Sequence, residues 1–304
     1  NVNNNGMSTV RFERKGDLLN YVYFAPYVVA DADTEPVSDW TAVISKVELL
    51  IGGQVVDTQD STYSTLIAPT LSATNFSKSE AGGLYDGAGT AKFYPLRFSF
   101  CENWQSALPL VALQYHDVEI RITWGGIAKN WGWNVYANFA YLDTDERAAF
   151  SSGSQNMLIT QVQKSIASKS LIQELNYNHP IKYLAAASGS AMSILNKANK
   201  LKLQINGTDI GDYKFADPNF TSVPLYYHTS NSSVKGTNLF FVPFCLDAAK
   251  LQPTGSLNFS RLDSARIQST GHSTTAGKFD EDIYAVNYNV LRVENGMAGL
   301  LYSN

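Results

Sequence analysis

Val118, Ile120 and Ile122 alternate with Glu119, Arg121 and Thr123. Val47, Leu49 and Ile51 repeat the pattern, as do Leu201, Leu203 and Ile205, and from 283 to 290 Ile283, Ala285, Asn287 and Asn289 alternate with Tyr284, Val286, Tyr288 and Val290. Successive side chains of an extended strand face opposite ways, so this period of two predicts strands with one buried face. No stretch carries the 3.6-residue apolar period over many turns, which excludes a helix bundle. Turn residues punctuate the strands: Lys15-Gly16-Asp17, Gly52-Gly53 and Asn206-Gly207. A short helix is expected near 61–68. With 304 residues, two domains of about 150 residues each are expected, so the chain reads as all-β, two consecutive β-sandwiches.

Residues 93–124 read as strand, tight corner, strand. Leu96, Phe98 and Phe100 alternate with Arg97, Ser99 and Cys101, and between the two strands lies the apolar corner Ala107-Leu108-Pro109-Leu110. Pro109 lacks the N–H that a central strand needs, so the corner sits at a sheet end. An apolar sheet end must be covered, and a second copy of the chain is the expected cover.

Charged residues make up 16% and the net charge is −4. That charged share is below the roughly 25% usual for soluble domains, and 17 Tyr with 15 Phe suggest surface destined for partners. No Lys/Arg run offers the counterion release that coating a genome requires, so direct nucleic-acid binding is disfavoured. Two cysteines, Cys101 and Cys245, exclude a disulfide scaffold and read as free buried thiols. No apolar run reaches the ~18 residues of a membrane helix. The chain opens at Asn1 within a polar lead, and further residues are expected upstream.

Few residues suggest chemistry. His116, His179, His228 and His272 stand in no metal-ligand spacing. His116 and Asp117 are strand neighbours and point apart. Gly52-Gly53 lacks the helix and Lys-Ser/Thr of a phosphate loop. Asp143-Thr144-Asp145-Glu146-Arg147 fits a metal or acid–base pair, but better a helix start, with Asp143 as the cap. No serine sits in a nucleophile elbow. Sequons occur at Asn75, Asn206, Asn219, Asn231 and Asn258. No cofactor, metal or enzymatic activity is expected.

Several of these stretches carry a resemblance. Leu108-Pro109-Leu110-Val111-Ala112-Leu113-Gln114-Tyr115-His116 resembles the major capsid proteins of nucleocytoplasmic large DNA viruses. So do Lys15-Gly16-Asp17-Leu18, 47–54, 141–147, the run 252–263 with its charged residues Arg261 and Asp263, and the tail 296–304. The likeness runs from about residue 8 to residue 304, though the family's upstream helix and first strand find no counterpart here. It implies a double jelly roll, divided as 1–142 (first jelly roll), 143–157 (linker with a short helix) and 158–304 (second jelly roll). It further implies a homotrimeric, pseudo-hexagonal capsomer in an icosahedral shell assembled in the host cytoplasm. The partners implied are other copies and neighbouring capsomers, minor capsid proteins and an internal membrane beneath the shell. With that assembly in mind, Leu108, Pro109, Leu110, Met297, Leu300 and Tyr302 are the expected interface residues.

Two other readings fit the composition. A carbohydrate-binding, lectin-like sandwich would use Trp104, Trp124, Trp131 and Trp133 as stacking platforms, although core packing accounts for isolated Trp equally well. A cupin-like metalloenzyme would need a bound metal. Size in solution separates a trimer from a glycan-binding monomer.

Overall fold

The structure, a computed structural model, describes residues 2–28, 37, 39–73, 92–229, 238–271 and 277–302. His272 and the sequons at Asn75 and Asn231 lie outside them. Strand makes up 43% and helix 21%, well below the third that would contradict an all-β reading. The longest described helix, Thr144–Ser152, has nine residues.

The chain divides into two compact units. One holds Asn1–Thr65, Leu84–Gln161 and Asn289–Asn304, and the other Leu66–Gly83 and Val162–Tyr288. A single cut near 143–157 therefore does not describe the division, because 66–83 joins the second unit and 289–304 the first.

In the first unit, β1 (Met7–Arg11), β7 (Val118–Trp124), β3 (Ile44–Ile51) and β4 (Gln54–Asp60) form one antiparallel sheet in that order. A second sheet centres on β2 (Leu18–Tyr27), which pairs with β5 (Tyr94–Pro95), β6 (Leu108–Pro109) and β8 (Gly132–Ala140). Val118, Ile120, Ile122 and Trp124 of β7 are buried, as their alternation predicts, with Val47, Leu49 and Ile51 in the same core. Gly52 and Gly53 turn β3 into β4 with both φ positive, the type I′ geometry open to glycine. The phosphate-loop reading ends there, since a strand follows and not a helix.

One predicted strand is absent. After β5 the chain makes a single helical turn at Ser99–Glu102. Leu96, Phe98 and Phe100 are nevertheless all buried, with the Leu96 N–H bonded to the Val22 carbonyl and the Cys101 N–H to that of Phe98. The alternation recorded burial, which a loop and one turn satisfy as well as a strand does.

In the second unit, β10 (Ile172–Glu174), β17 (Ala265–Ser269), β12 (Lys200–Ile205) and β13 (Thr208–Asp209) form one sheet, with β14 (Lys214–Phe215) also on β12. Facing residues come from β11 (Pro180–Ser188), which pairs with β15 (Asn238–Pro243), β16 (Leu257–Asn258) and the start of β18 (Ile283–Glu294). Leu184, Ala186, Leu201, Phe240, Ile267, Phe279 and Ile283 share its core. Asn206 and Gly207 turn β12 into β13 at positive φ. The Asn206 side-chain oxygen accepts from the N–H groups of Asp263 and Ser264.

β9 (Gln155–Ser165) and β18 each contribute to both units. In β18, residues 284–287 pair with β11, while 291–294 pair with β19 (Met297–Leu300). Leu291, Val293 and Ala298 belong to the first core.

Candidate assembly surface

The expected interface residues fall into two groups. Leu108 and Pro109 pair with Leu19 and Leu18 as β6, and Leu110 opens a 3₁₀ turn. Leu108 and Leu110 are each only 2% exposed and Leu113 is fully buried. The corner is thus covered by its own sandwich, and the expected contact of Leu108, Pro109 and Leu110 with a second copy is corrected. Apolarity demands a cover but does not say which chain provides it.

The second group is different. β18 turns into β19 through Asn295 and Gly296, both at positive φ. This Asn-Gly hairpin went unread in the sequence, although the dipeptide is a strong turn signal. Its inner side is fixed to the first unit: the Tyr115 N–H donates to the Gly296 carbonyl, 2.9 Å. Nδ1 of His116 lies 3.0 Å from the Ala298 carbonyl oxygen and 3.2 Å from its amide nitrogen. The imidazole in turn lies over Gly52, where an added Cβ would come within 2.5 Å of the ring. The outer side is open, with Met297 47% and Tyr302 57% exposed and Leu301 exposed, while Leu300, on the same face as Ala298, packs half-buried against the first core. Met297, Leu300, Leu301 and the ion pair Arg292–Glu294 (2.6 Å) line a shallow hollow of about 320 Å³.

The segment 141–147 leads into a helix, as the capping reading expects. The Asp143 side chain accepts from Thr144 N–H, and the Asp143 N–H donates to the Glu146 carboxylate, a capping box at the start of Thr144–Ser152. Arg147 donates to Asp17 at 2.9 Å and the Leu142 N–H donates to the same oxygen at 2.8 Å. These bonds, that of Arg147 first, hold the Asp17 carboxyl below the usual carboxylate range. Asp17 follows Gly16, whose missing Cβ would lie 2.6 Å from that of Phe139.

The remaining candidates are structural. His179 takes positive φ and its N–H donates to Ser260 Oγ, while His228 Nδ1 lies 2.8 Å from the Cys245 carbonyl oxygen. Both cysteines are free, and burial pushes both thiols up. Burial also raises the phenols of Tyr94, Tyr177 and Tyr288, the last to about 12. Trp124 and Trp133 pack together at 5.1 Å in the first core. Trp131 is partly buried there too, leaving Trp104, 60% exposed, as the one strongly exposed indole of the proposed stacking set. Among the described residues no group of three or more His, Cys, Asp or Glu side chains is placed to hold a metal.

Comparison with known proteins agrees with this architecture. A family profile described as major capsid protein N-terminus matches residues 1–131, and one described as large eukaryotic DNA virus major capsid protein matches 189–299. The major capsid protein of Pyramimonas orientalis virus is 32% identical over 97% of this chain and 86% of its own length. That of Paramecium bursaria Chlorella virus 1 is 28% identical over 99% and 88%. Among solved structures, PBCV-1 VP54, fitted into a cryo-EM reconstruction of the virophage Sputnik, superposes with a TM-score of 0.78 at 25% identity. That match covers 100% of this chain and 94% of the other. The Faustovirus major capsid protein shares the fold at a TM-score of 0.61 and 10% identity, over 97% and 88%. With two jelly-roll sandwiches and full-length relatives of this kind, the chain belongs to the major capsid proteins of large eukaryotic DNA viruses, the subunits of their icosahedral virion shells.

Proposed function

We propose that the protein builds its shell as homotrimers. The observation that carries this reading is that one chain folds two sandwiches, each with its own core. Three copies then supply six similar sandwiches around a three-fold axis, a nearly six-fold outline that tiles a flat lattice. A heterologous contact closes after three steps of a third of a turn. Met297 and Tyr302, both exposed, and the half-buried Leu300 between them are the residues we assign to contact between copies. An obligate interface of this kind buries more than about 2,000 Å². Neighbouring capsomers, minor capsid proteins and an internal membrane complete the surroundings. Assembly in the host cytoplasm suits two unpaired thiols. The genome is not contacted directly, in keeping with a net charge of −4 and no basic run. The role is structural and not enzymatic: the displaced ionisations belong to core phenols and thiols and to surface ion pairs.

Sedimentation of the purified protein tests the trimer. A species of three times the 33.4 kDa chain is expected. A well-folded monomer at micromolar concentration, with nothing larger, overturns the reading.

A further inference from the structure

Three stretches that carry the family likeness, 15–18, 108–116 and 141–147, meet at one hollow of about 380 Å³ in the first sandwich. Its charged lining is Arg14, Lys15, Asp17 and Arg147. Asp17 is already engaged by Arg147 and the Leu142 N–H. Among the described residues, Arg14 and Lys15 have no comparable carboxylate. The Arg14 guanidinium donates to the Gln114 carbonyl at 2.7 Å, a neutral acceptor that leaves its charge uncompensated. Lys15 lies 3.5 Å from Glu13, but these side chains are 70% and 77% exposed, and such a pair contributes little. The lining thus holds three cations to one carboxylate, in a chain whose net charge is negative. Its backbone is pinned, with the Val111 N–H on the Asp17 carbonyl (3.0 Å) and Gly16 pressed against Phe139. A fixed hollow of this sign is preorganised for carboxylates, which a guanidinium binds in a two-pronged way.

We propose that this hollow docks an acidic segment of a neighbouring protein, with Arg14 and Lys15 binding its Asp or Glu carboxylates. The inference draws on the shell-subunit reading only for the presence of neighbours, and its test needs no assembly, so either can fail alone. Fluorescence anisotropy with a labelled hexaglutamate peptide reads the site. Saturable binding is expected at low ionic strength, fading as salt shortens the screening length to about 10 Å at 0.1 M. Arg14→Gln and Lys15→Gln should each weaken it about three- to fivefold, near the upper end for one exposed ion pair. The double change R14E/K15E should abolish it, and hexalysine should not bind. Both side chains are exposed, so the variants should melt as the wild type does. The proposal is overturned if hexaglutamate fails to bind at low salt, if the variants bind it unchanged, or if inorganic phosphate at equal concentration displaces it.

Discussion

Leu110→Asp separates two roles for the apolar corner. Leu110 is 2% exposed within its own sandwich, so the change should unfold that sandwich before association comes into question. Losing the buried leucine costs about 2 kcal/mol in transfer alone, and the Leu→Ala range of about 2–5 kcal/mol sets the scale once a cavity forms. Keeping the new carboxyl neutral at pH 7 means raising its pKa from about 3.9 by some three units, roughly 4 kcal/mol more. The sum, about 6–9 kcal/mol, rivals the whole stability of a typical domain, ~5–15 kcal/mol. All five Trp lie at 40, 104, 124, 131 and 133, within the first unit, so denaturant unfolding followed by Trp fluorescence reports on this sandwich. The leucine variant should be unfolded or nearly so at pH 7 and should recover part of the loss toward pH 4, where its carboxyl is protonated. Leu110→Asn should lack that recovery. Met297→Asp, at an exposed site, should keep the wild-type midpoint and lose association. A Leu110→Asp protein with the wild-type midpoint that no longer associates would refute the reasoning and return the corner to the interface between copies.

Asp17→Asn removes a carboxylate held below its ordinary pKa by Arg147 and the Leu142 N–H. A lowered folded-state pKa stabilises above the unfolded value of about 3.9. The contribution disappears as pH falls through the folded value, so the variant's deficit in melting temperature should be present at pH 7 and vanish in strong acid. Asp143→Ala should cost about 1 kcal/mol by opening the capping box, measured by denaturant titration, while hexaglutamate binding stays unchanged. Cys101 and Cys245 should remain unbridged in non-reducing mass spectrometry and resist alkylation at pH 7.5 until the chain is denatured, because burial disfavours both thiolates.

Local chemistry was legible. Gly52-Gly53, Asn206-Gly207 and the Asp143 cap are decided by backbone conformation and short-range hydrogen bonds, so a few residues suffice to read them. The alternation in Val118–Trp124 likewise survives folding, because a strand in a sandwich keeps one face inward. The stretch 96–101 misled because the apolar alternation also suits a loop and one helical turn laid over a core, where Leu96, Phe98 and Phe100 are buried and so is Arg97 between them. The site was harder. Nothing near Leu108 and Pro109 says that Leu19 and Leu18 lie beside them, and nothing near Arg147 says that Asp17 does, since those separations are about 90 residues or more along the chain. The exposure of Met297 and Tyr302 likewise depends on which side of the hairpin meets Tyr115 and His116, which apolarity alone does not tell.

The double membership of β18 bears on biosynthesis. A ribosome delivers residues in order, and the first sandwich draws Leu291, Val293 and Ala298 into its core. That core therefore stays incomplete until residue 298 has been added, while the strands of the second sandwich up to Tyr288 are already available. Of the two sandwiches, the one begun earlier is completed later, against the usual vectorial order in which N-terminal domains fold ahead of those behind them. A chain released before residue 291 would expose apolar surface where those three side chains belong. Incomplete translation products would thus present themselves to chaperones and proteases instead of entering a shell.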